Sequence, residues 1–217
     1  HPTLMSPKNL QVSRDYQGYT MDKLVEDKFL PMFLQGACGD VSTRFTRTEQ
    51  SFSECERIGH LLAKEVEQIA DTTEFVEAKE FSYSQHIIKL PKKHYENEEY
   101  YQAKIKEYQE ILADKKGKVS AGELRIFETA LQGINYEYQY SKVQEKTVTD
   151  VICGMLRING AVIILTPFEL FTKLADQIYA ASKADHTLIV GYSFDGLGYM
   201  PDANSFDKGG YEVLSCR

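Results

Sequence analysis

Three short clusters hold most of the side chains able to do chemistry: His1-Pro2-Thr3, the run Gly36-Ala37-Cys38-Gly39-Asp40-Val41-Ser42, and Pro167-Phe168-Glu169 together with the stretch Gly191 to Glu212. The imidazole of His1 is a possible metal ligand, although a terminal His is more often a surface residue. In the second cluster small residues let the backbone approach a ligand closely, while Asp40 and Ser42 add a carboxylate and a hydroxyl. Glu169 falls where a strand is expected to give way to a helix, and its plainest role there is that of an acid favoured by the helix dipole. Tyr192, Tyr199 and Tyr211 add three phenols that, taken by themselves, read as loop packing. Cys38, Cys55, Cys153 and Cys216 are scattered, form no C-x-x-C pair, and read as free thiols used as small apolar residues. Each cluster alone is accounted for without any activity.

The elements that must position these clusters follow from the periodicity. Residues 1–27 are polar and rich in turn formers, and read as a loop followed by a short helix near 18–27. Lys28 to Ala37 is an apolar segment suited to a buried strand, with Pro31 placing it at a sheet edge or a strand start. Ser51 with Glu54 three residues on forms a capping box, and Cys55, Ile58, Leu62, Val66 and Ile69 recur at steps of three and four, which predicts an amphipathic helix. Residues 74–90 alternate loosely and read as one or two strands. From 96 to 145 two apolar stripes, Tyr101 to Leu112 and Leu124 to Tyr138, flank Lys115-Lys116-Gly117-Lys118 and predict an inserted antiparallel helical hairpin with charged outer faces. It reads as a solvated structural insertion, with a gating or partner-binding arm as the alternative. Val148–Ile158 and Ala161–Pro167 predict two strands joined at Asn159-Gly160, Glu169–Ser182 a helix, and His186–Tyr192 a further strand before a Gly- and Tyr-rich loop over 194–212. Strands interleaved with helices predict an α/β (α+β layered) fold: a mixed β-sheet with packed helices, in one domain over residues 1–217.

Composition bounds the function. The 217 residues are 42% hydrophobic and 26% charged, with 14 Gly and 6 Pro, which excludes a collagen-like or disordered chain. The longest apolar run, around Val162-Ile163-Ile164-Leu165, falls far short of the roughly 20 residues of a membrane helix. Lys and Arg number 25 against 32 Asp and Glu, a formal charge of −7 with no basic block, so nucleic acid is not an expected partner. The chain opens on His1-Pro2-Thr3 without an initiator Met or an apolar leader, which reads as a piece of a longer polypeptide and leaves the compartment open.

Read in order, several stretches together resemble the neutral/alkaline (non-lysosomal) ceramidase family, amidases that hydrolyse N-acylsphingosine to sphingosine and fatty acid. His1-Pro2-Thr3 resembles the family's "HPT", Val12-Ser13-Arg14-Asp15-Tyr16-Gln17-Gly18 its "iSaDypG", and Gln35-Gly36-Ala37-Cys38-Gly39-Asp40-Val41-Ser42 its "QGaxGDvS". Pro167-Phe168-Glu169-Leu170 resembles "PGEl", Gly191 to Tyr199 "GxxNxYxxY", and Gly210-Tyr211-Glu212 the closing "QxYE". The resemblance covers about residues 1–77 and 147–217. It implies a zinc-dependent amide hydrolase in which a zinc-activated water attacks the amide of N-acylsphingosine or a related N-acyl lipid.

Carried over residue by residue, the resemblance implies His1, Glu169 and Tyr199 as zinc ligands, with one further His from sequence upstream of this chain. Tyr211 would donate a hydrogen bond to the developing oxyanion, and Ser42 would stand against the substrate amide. These implied roles make the chain the C-terminal part of a ceramidase-like catalytic domain, partnered by the upstream half of the same polypeptide; alone it is expected to bind zinc weakly and to be inactive. The chain departs from the family pattern in three of these motifs: "SPN" is Ser42-Thr43-Arg44, "PGE" is Pro167-Phe168-Glu169, and the Asn of "GxxNxY" is Phe194. A catalytically inactive interaction domain with the same fold is the competing reading.

Overall fold

A computed structural model of the chain describes residues 2–6, 8–143 and 148–216. They divide into two compact units, the first comprising His1–Gln35 and Val41–Lys79, the second Gly36–Asp40 and Glu80–Arg217.

The first unit is helical. Helix α1 (Asp15–Glu26) packs on α2 (Phe52–Thr72), whose N-terminus is capped by Ser51 accepting from the Glu54 N–H. The other half of the expected capping box does not form, because the Glu54 carboxylate accepts instead from the Thr48 N–H at 2.8 Å and from Arg57. Gly59 lets the helices meet: a Cβ there would stand 2.6 Å from the Tyr19 Cβ and 2.7 Å from the Tyr16 carbonyl. Leu24, Cys55 and Ala63 are buried between them, and the Thr20 hydroxyl donates to the Gly59 carbonyl at 3.1 Å.

Lys28 to Ala37 is not a strand. Lys28 adopts a left-handed backbone (φ 69°), Pro31 has no N–H to offer a ladder, and among the described residues the first unit contains no strand for it to pair with. Its apolar residues instead line an open groove of about 520 Å³ with Leu24, Leu62 and Val66, which leaves Leu30 and Met32 largely exposed.

The second unit carries the α/β fold. A mixed four-stranded sheet runs in the order β1 (Phe81–Pro91), β2 (Val148–Ile158), β3 (Ala161–Leu165), β5 (His186–Val190), in which β1–β2 and β2–β3 are antiparallel and β3–β5 is parallel. The β2–β3 turn is Asn159-Gly160, with Asn159 left-handed at φ 51°. Residues 74–80 stay outside the sheet. Between β1 and β2 lie α3 (Glu98–Lys115) and α4 (Ala121–Val143), antiparallel, with Tyr101 stacked on Tyr138 at 5.5 Å and Lys115 over the Phe127 ring. The last residues of the expected 96–145 span, 144 and 145, lie outside the described residues. One face of the sheet is buried: Val151 and Ile189 pack with Phe168, Leu170 and Ala175. No helix among the described residues is long and apolar enough to cross a membrane.

The expected helix over Glu169–Ser182 starts three residues later, as α5 (Thr172–Ala181). Phe168–Leu170 is strand β4, paired in parallel with β6 (Gly198–Met200) in a second, two-stranded sheet. The Gly- and Tyr-rich stretch is therefore not all loop: it holds β6, α6 (Ala203–Phe206) and α7 (Tyr211–Leu214).

Candidate active site

The β4–β6 sheet organises the polar residues of the second unit. Its register pairs Phe168 with Gly198, Glu169 with Tyr199 and Leu170 with Met200. Residues paired across a ladder project to the same face, so the Glu169 carboxylate and the Tyr199 phenol share one side of the sheet while their neighbours Phe168 and Leu170 turn into the core. Neither strand is long enough to hold by its own ladder. The loop around them closes further hydrogen bonds: Ser193 N–H to the Thr166 carbonyl, Leu197 N–H to the Pro167 carbonyl, Phe171 N–H to the Met200 carbonyl, and Gly39 N–H to the Leu170 carbonyl at 2.8 Å.

That last bond explains the Gly39-Asp40 pair. A Cβ at Gly39 would stand 2.5 Å from the Glu169 carbonyl and 2.7 Å from the Phe171 ring, so only glycine lets this segment lie against β4. Asp40 is occupied structurally: its carboxylate accepts from both the N–H and the hydroxyl of Thr172 at 2.7 Å, which caps α5 from a distance of 132 residues in sequence. The side chain of Cys38, 1% exposed, lies 3.8 Å from the Tyr192 hydroxyl.

Three phenols surround Glu169. The Tyr199 and Tyr211 rings meet edge-on at 6.0 Å, and the Tyr192 hydroxyl hydrogen-bonds to Glu169 and Cys38. Burial, then the negative charge of Glu169, holds the Tyr199 phenol well above its usual range. Burial, then Cys38 and Glu169, does the same to Tyr192. Burial, then the Tyr136 phenol, raises Tyr211. All three are neutral hydroxyls at physiological pH, able to donate to an acceptor.

Of the residues singled out in the sequence, Glu169, Tyr199 and Tyr211 come together here. Ser42 lies in the first unit, exposed, where its hydroxyl accepts from the Arg44 N–H at 3.2 Å and caps the 3-10 turn Thr43–Phe45. His1 lies outside the described residues. Tyr192, which reads as loop packing in the sequence, stands two residues after β5 with a left-handed backbone (φ 54°), as does Phe194 (φ 68°). Non-glycine residues adopt such angles where the surroundings hold them there, commonly at functional sites. Phe194, standing where the family motif has Asn, packs its ring against β2, with its Cζ 2.8 Å from where a Cβ on Gly154 would stand.

For a metal, the fit is partial. Glu169 and Tyr199 present two oxygen donors on one face in register. Among the described residues no group of three or more His, Cys, Asp or Glu side chains is arranged to hold an ion.

The second unit thus defines a mixed α/β fold with a carboxylate–phenol cluster on a small parallel sheet. The fold of the chain is similar to part of that of two ceramidase structures. The chain is similar to the crystal structure of neutral ceramidase from Pseudomonas aeruginosa, with a TM-score of 0.62 at 16% sequence identity over 99% of this chain and 39% of that one. It is similar to the structure of a ceramidase complexed with C2 at a TM-score of 0.64 and 15% identity, over 99% of this chain and 41% of that one. The chain therefore spans about two fifths of the length of these structures. No protein-family model and no curated protein matches the sequence.

Proposed function

We propose that the chain is part of a zinc-dependent amide hydrolase of neutral-ceramidase type, acting on an N-acylsphingosine or a related N-acyl lipid amide. The observation that carries this reading is the pairing of Glu169 with Tyr199 across β4–β6, with the Tyr211 ring 6.0 Å from Tyr199. The family resemblance and the ceramidase fold support it. Glu169 and Tyr199 would hold the ion together with His1 and a His from the upstream part of the polypeptide. Bound there, zinc supplies a water of lowered pKa and a Lewis acid for the amide carbonyl.

The chain's own residues do the rest. Tyr192 orients the Glu169 carboxylate by hydrogen bonding to it. Tyr211, a neutral phenol that burial pushes further above its usual range, donates to the oxygen on which negative charge develops. The family resemblance alone assigns Ser42 to the substrate amide. The test is metal analysis and hydrolysis of a short-chain N-acylsphingosine by the polypeptide carrying this chain with its upstream segment. Stoichiometric zinc and fatty-acid release, lost in Glu169→Gln with the fold retained, is the expected result. Zinc-loaded protein that releases no fatty acid overturns it.

Two observations favour a second reading, a binding domain on the same fold without the chemistry. Asp40 is consumed in capping α5, and Phe194 fills with a ring the place of a polar side chain in the family motif. A folded, zinc-free protein that binds the amide lipid without turnover identifies this case.

A further inference from the structure

The α3–α4 hairpin has no part in the chemistry above, yet its second helix reaches Tyr211. Gly133 of α4 lies against α7, where a Cβ would stand 2.6 Å from the Leu214 Cβ. Lys93 ties the same two elements: its Nζ lies 2.8 Å from Glu137 Oε1 on α4 and donates to the Val213 carbonyl on α7 at 3.1 Å. These two charged side chains are only 16% and 10% exposed, so the pair is screened from solvent. Between them in sequence, Tyr136 meets the Tyr211 ring at 6.5 Å and 63°, while Tyr211 also meets Tyr199 at 6.0 Å and 76°. Both geometries are the edge-on arrangement aromatic rings prefer. Helix α7 is a single turn of four residues, too short to be stable by its own hydrogen bonds, so the aim of Tyr211 is set by what α7 packs on.

We infer that α4 is the element that positions Tyr211, with Tyr136 the positioning residue that fixes the direction of its phenol and Gly133 the residue that lets α7 close in. The inference rests on the reading of Tyr211 as the oxyanion donor. It assigns the hairpin a place in the reaction without contact to substrate. A change at Tyr136 therefore alters turnover more than substrate binding, and the ring matters while its hydroxyl does not.

The test compares Tyr136→Ala, Tyr136→Leu and Tyr136→Phe with Ile126→Ala, an exposed change elsewhere on α4. Steady-state hydrolysis of a short-chain N-acylsphingosine is measured on the polypeptide with its upstream segment, alongside hydrogen exchange of the Leu214 and Ser215 amides, which bond within α7 to Gly210 and Tyr211. Tyr136→Ala and Tyr136→Leu are expected to lower kcat roughly fivefold with KM within about twofold, the scale of one aromatic contact, and to speed exchange in α7. Tyr136→Phe and Ile126→Ala are expected to match the wild type in both. Wild-type exchange and kcat in Tyr136→Ala overturn the inference. Wild-type protein without hydrolysis overturns the proposed function instead, and the exchange of α7 then decides alone whether α4 holds it.

Discussion

The two units bury different kinds of polar group. In the first, the charged groups sealed from water are carboxylates. Asp15, 4% exposed, accepts from the N–H groups of Leu4, Met5 and Tyr16, and Glu54, 3% exposed, accepts from the Thr48 N–H and from Arg57. The second also buries carboxylates, Glu137 and Asp202, but adds a set of phenols: Tyr101 is fully buried, Tyr95, Tyr199 and Tyr211 are half-buried and Tyr192 is partly exposed, and desolvation is the first cause that raises each of them. A buried carboxylate is kept ionised by fixed donors and so pins chain segments to one another. A buried phenol stays neutral, costs less to desolvate, and keeps a proton to offer. Buried carboxylates hold the first unit in place, whereas the second, beside its own Lys93–Glu137 pair, gathers neutral donors around one carboxylate, Glu169. That is the arrangement a site needs.

The sharpest way to break the comparison is at Asp15. Asp15→Ala leaves the Leu4, Met5 and Tyr16 amides without their side-chain acceptor and puts Ala at φ 53°, where Asp is better tolerated. A loss of about 4 kcal/mol is expected, from three stranded donors, that of Leu4 buried, and the strained backbone. Denaturant unfolding followed by hydrogen exchange should show it in α1 and α2 and leave the sheet strands unchanged. Equal loss in both units contradicts the separation drawn here.

Tyr211→Phe tests the other side. It keeps the ring contacts with Tyr136 and Tyr199 and deletes only the hydroxyl, so stability should change by less than about 1 kcal/mol. If the hydroxyl donates to an oxyanion, kcat for a short-chain N-acylsphingosine falls on the order of 100-fold, equivalent to about 3 kcal/mol. Unchanged kcat removes Tyr211 from the chemistry.

The pH dependence should differ between units in sign. Arg57 and the Thr48 amide hold Glu54 at about 2, below its ordinary value of 4.5, so its stabilisation is complete above that ordinary value and lost as pH falls from about 4.5 toward 2. Tyr95 and Tyr101 are pushed up to about 12 from 10.0, so their contribution is complete below pH 10 and lost as pH rises from about 10 toward 12. Exchange measured element by element should show α2 opening first on the acid side and the α3–α4 hairpin first on the alkaline side. Glu54→Gln should flatten the acid limb alone.

Elements with a repeating pattern were legible in the sequence. The three- and four-residue steps of α2, the two stripes of α3 and α4, and the Asn159-Gly160 turn each state their structure locally. Lys28 to Ala37 misled because an apolar run looks the same whether it pairs as a strand or lines a groove, and only the absence of a partner strand among the described residues of that unit decides it. The strands β4 and β6 were missed for the opposite reason. Three residues are too few to show a period, and Glu169 meets Tyr199 across thirty positions of sequence that no local rule connects. The grouping of Glu169, Tyr199 and Tyr211 in the sequence reading came from resemblance; the ladder supplies its physical cause. Tyr192 reads as loop packing in the sequence because its place beside Glu169 depends on a left-handed backbone invisible there.

Tyr192→Phe is the smallest change that bears on the comparison. The ring stays and the left-handed backbone at φ 54° is unaffected, because Phe and Tyr share the same backbone preferences. What goes is one hydroxyl, which hydrogen-bonds to the Glu169 carboxylate and lies 3.8 Å from the Cys38 sulfur. The thiol contact is weak and Cys38 is a poor donor, so Cys38→Ala should cost little by this route. The bond to a carboxylate is the stronger of the two, and losing it should cost about 1 kcal/mol of stability, less than the loss at Asp15 because Glu169 is only partly buried and water replaces the hydroxyl. If the neutral phenol orients Glu169, Tyr192→Phe combined with Glu169→Gln costs less than the sum of the two single changes, since the second removes what the first acted on. Denaturant unfolding of the four proteins in this cycle measures the coupling, expected at about 0.5–1 kcal/mol. Strict additivity would mean that Tyr192 packs the loop and nothing more, and the cluster around Glu169 would then be Tyr199 and Tyr211 alone.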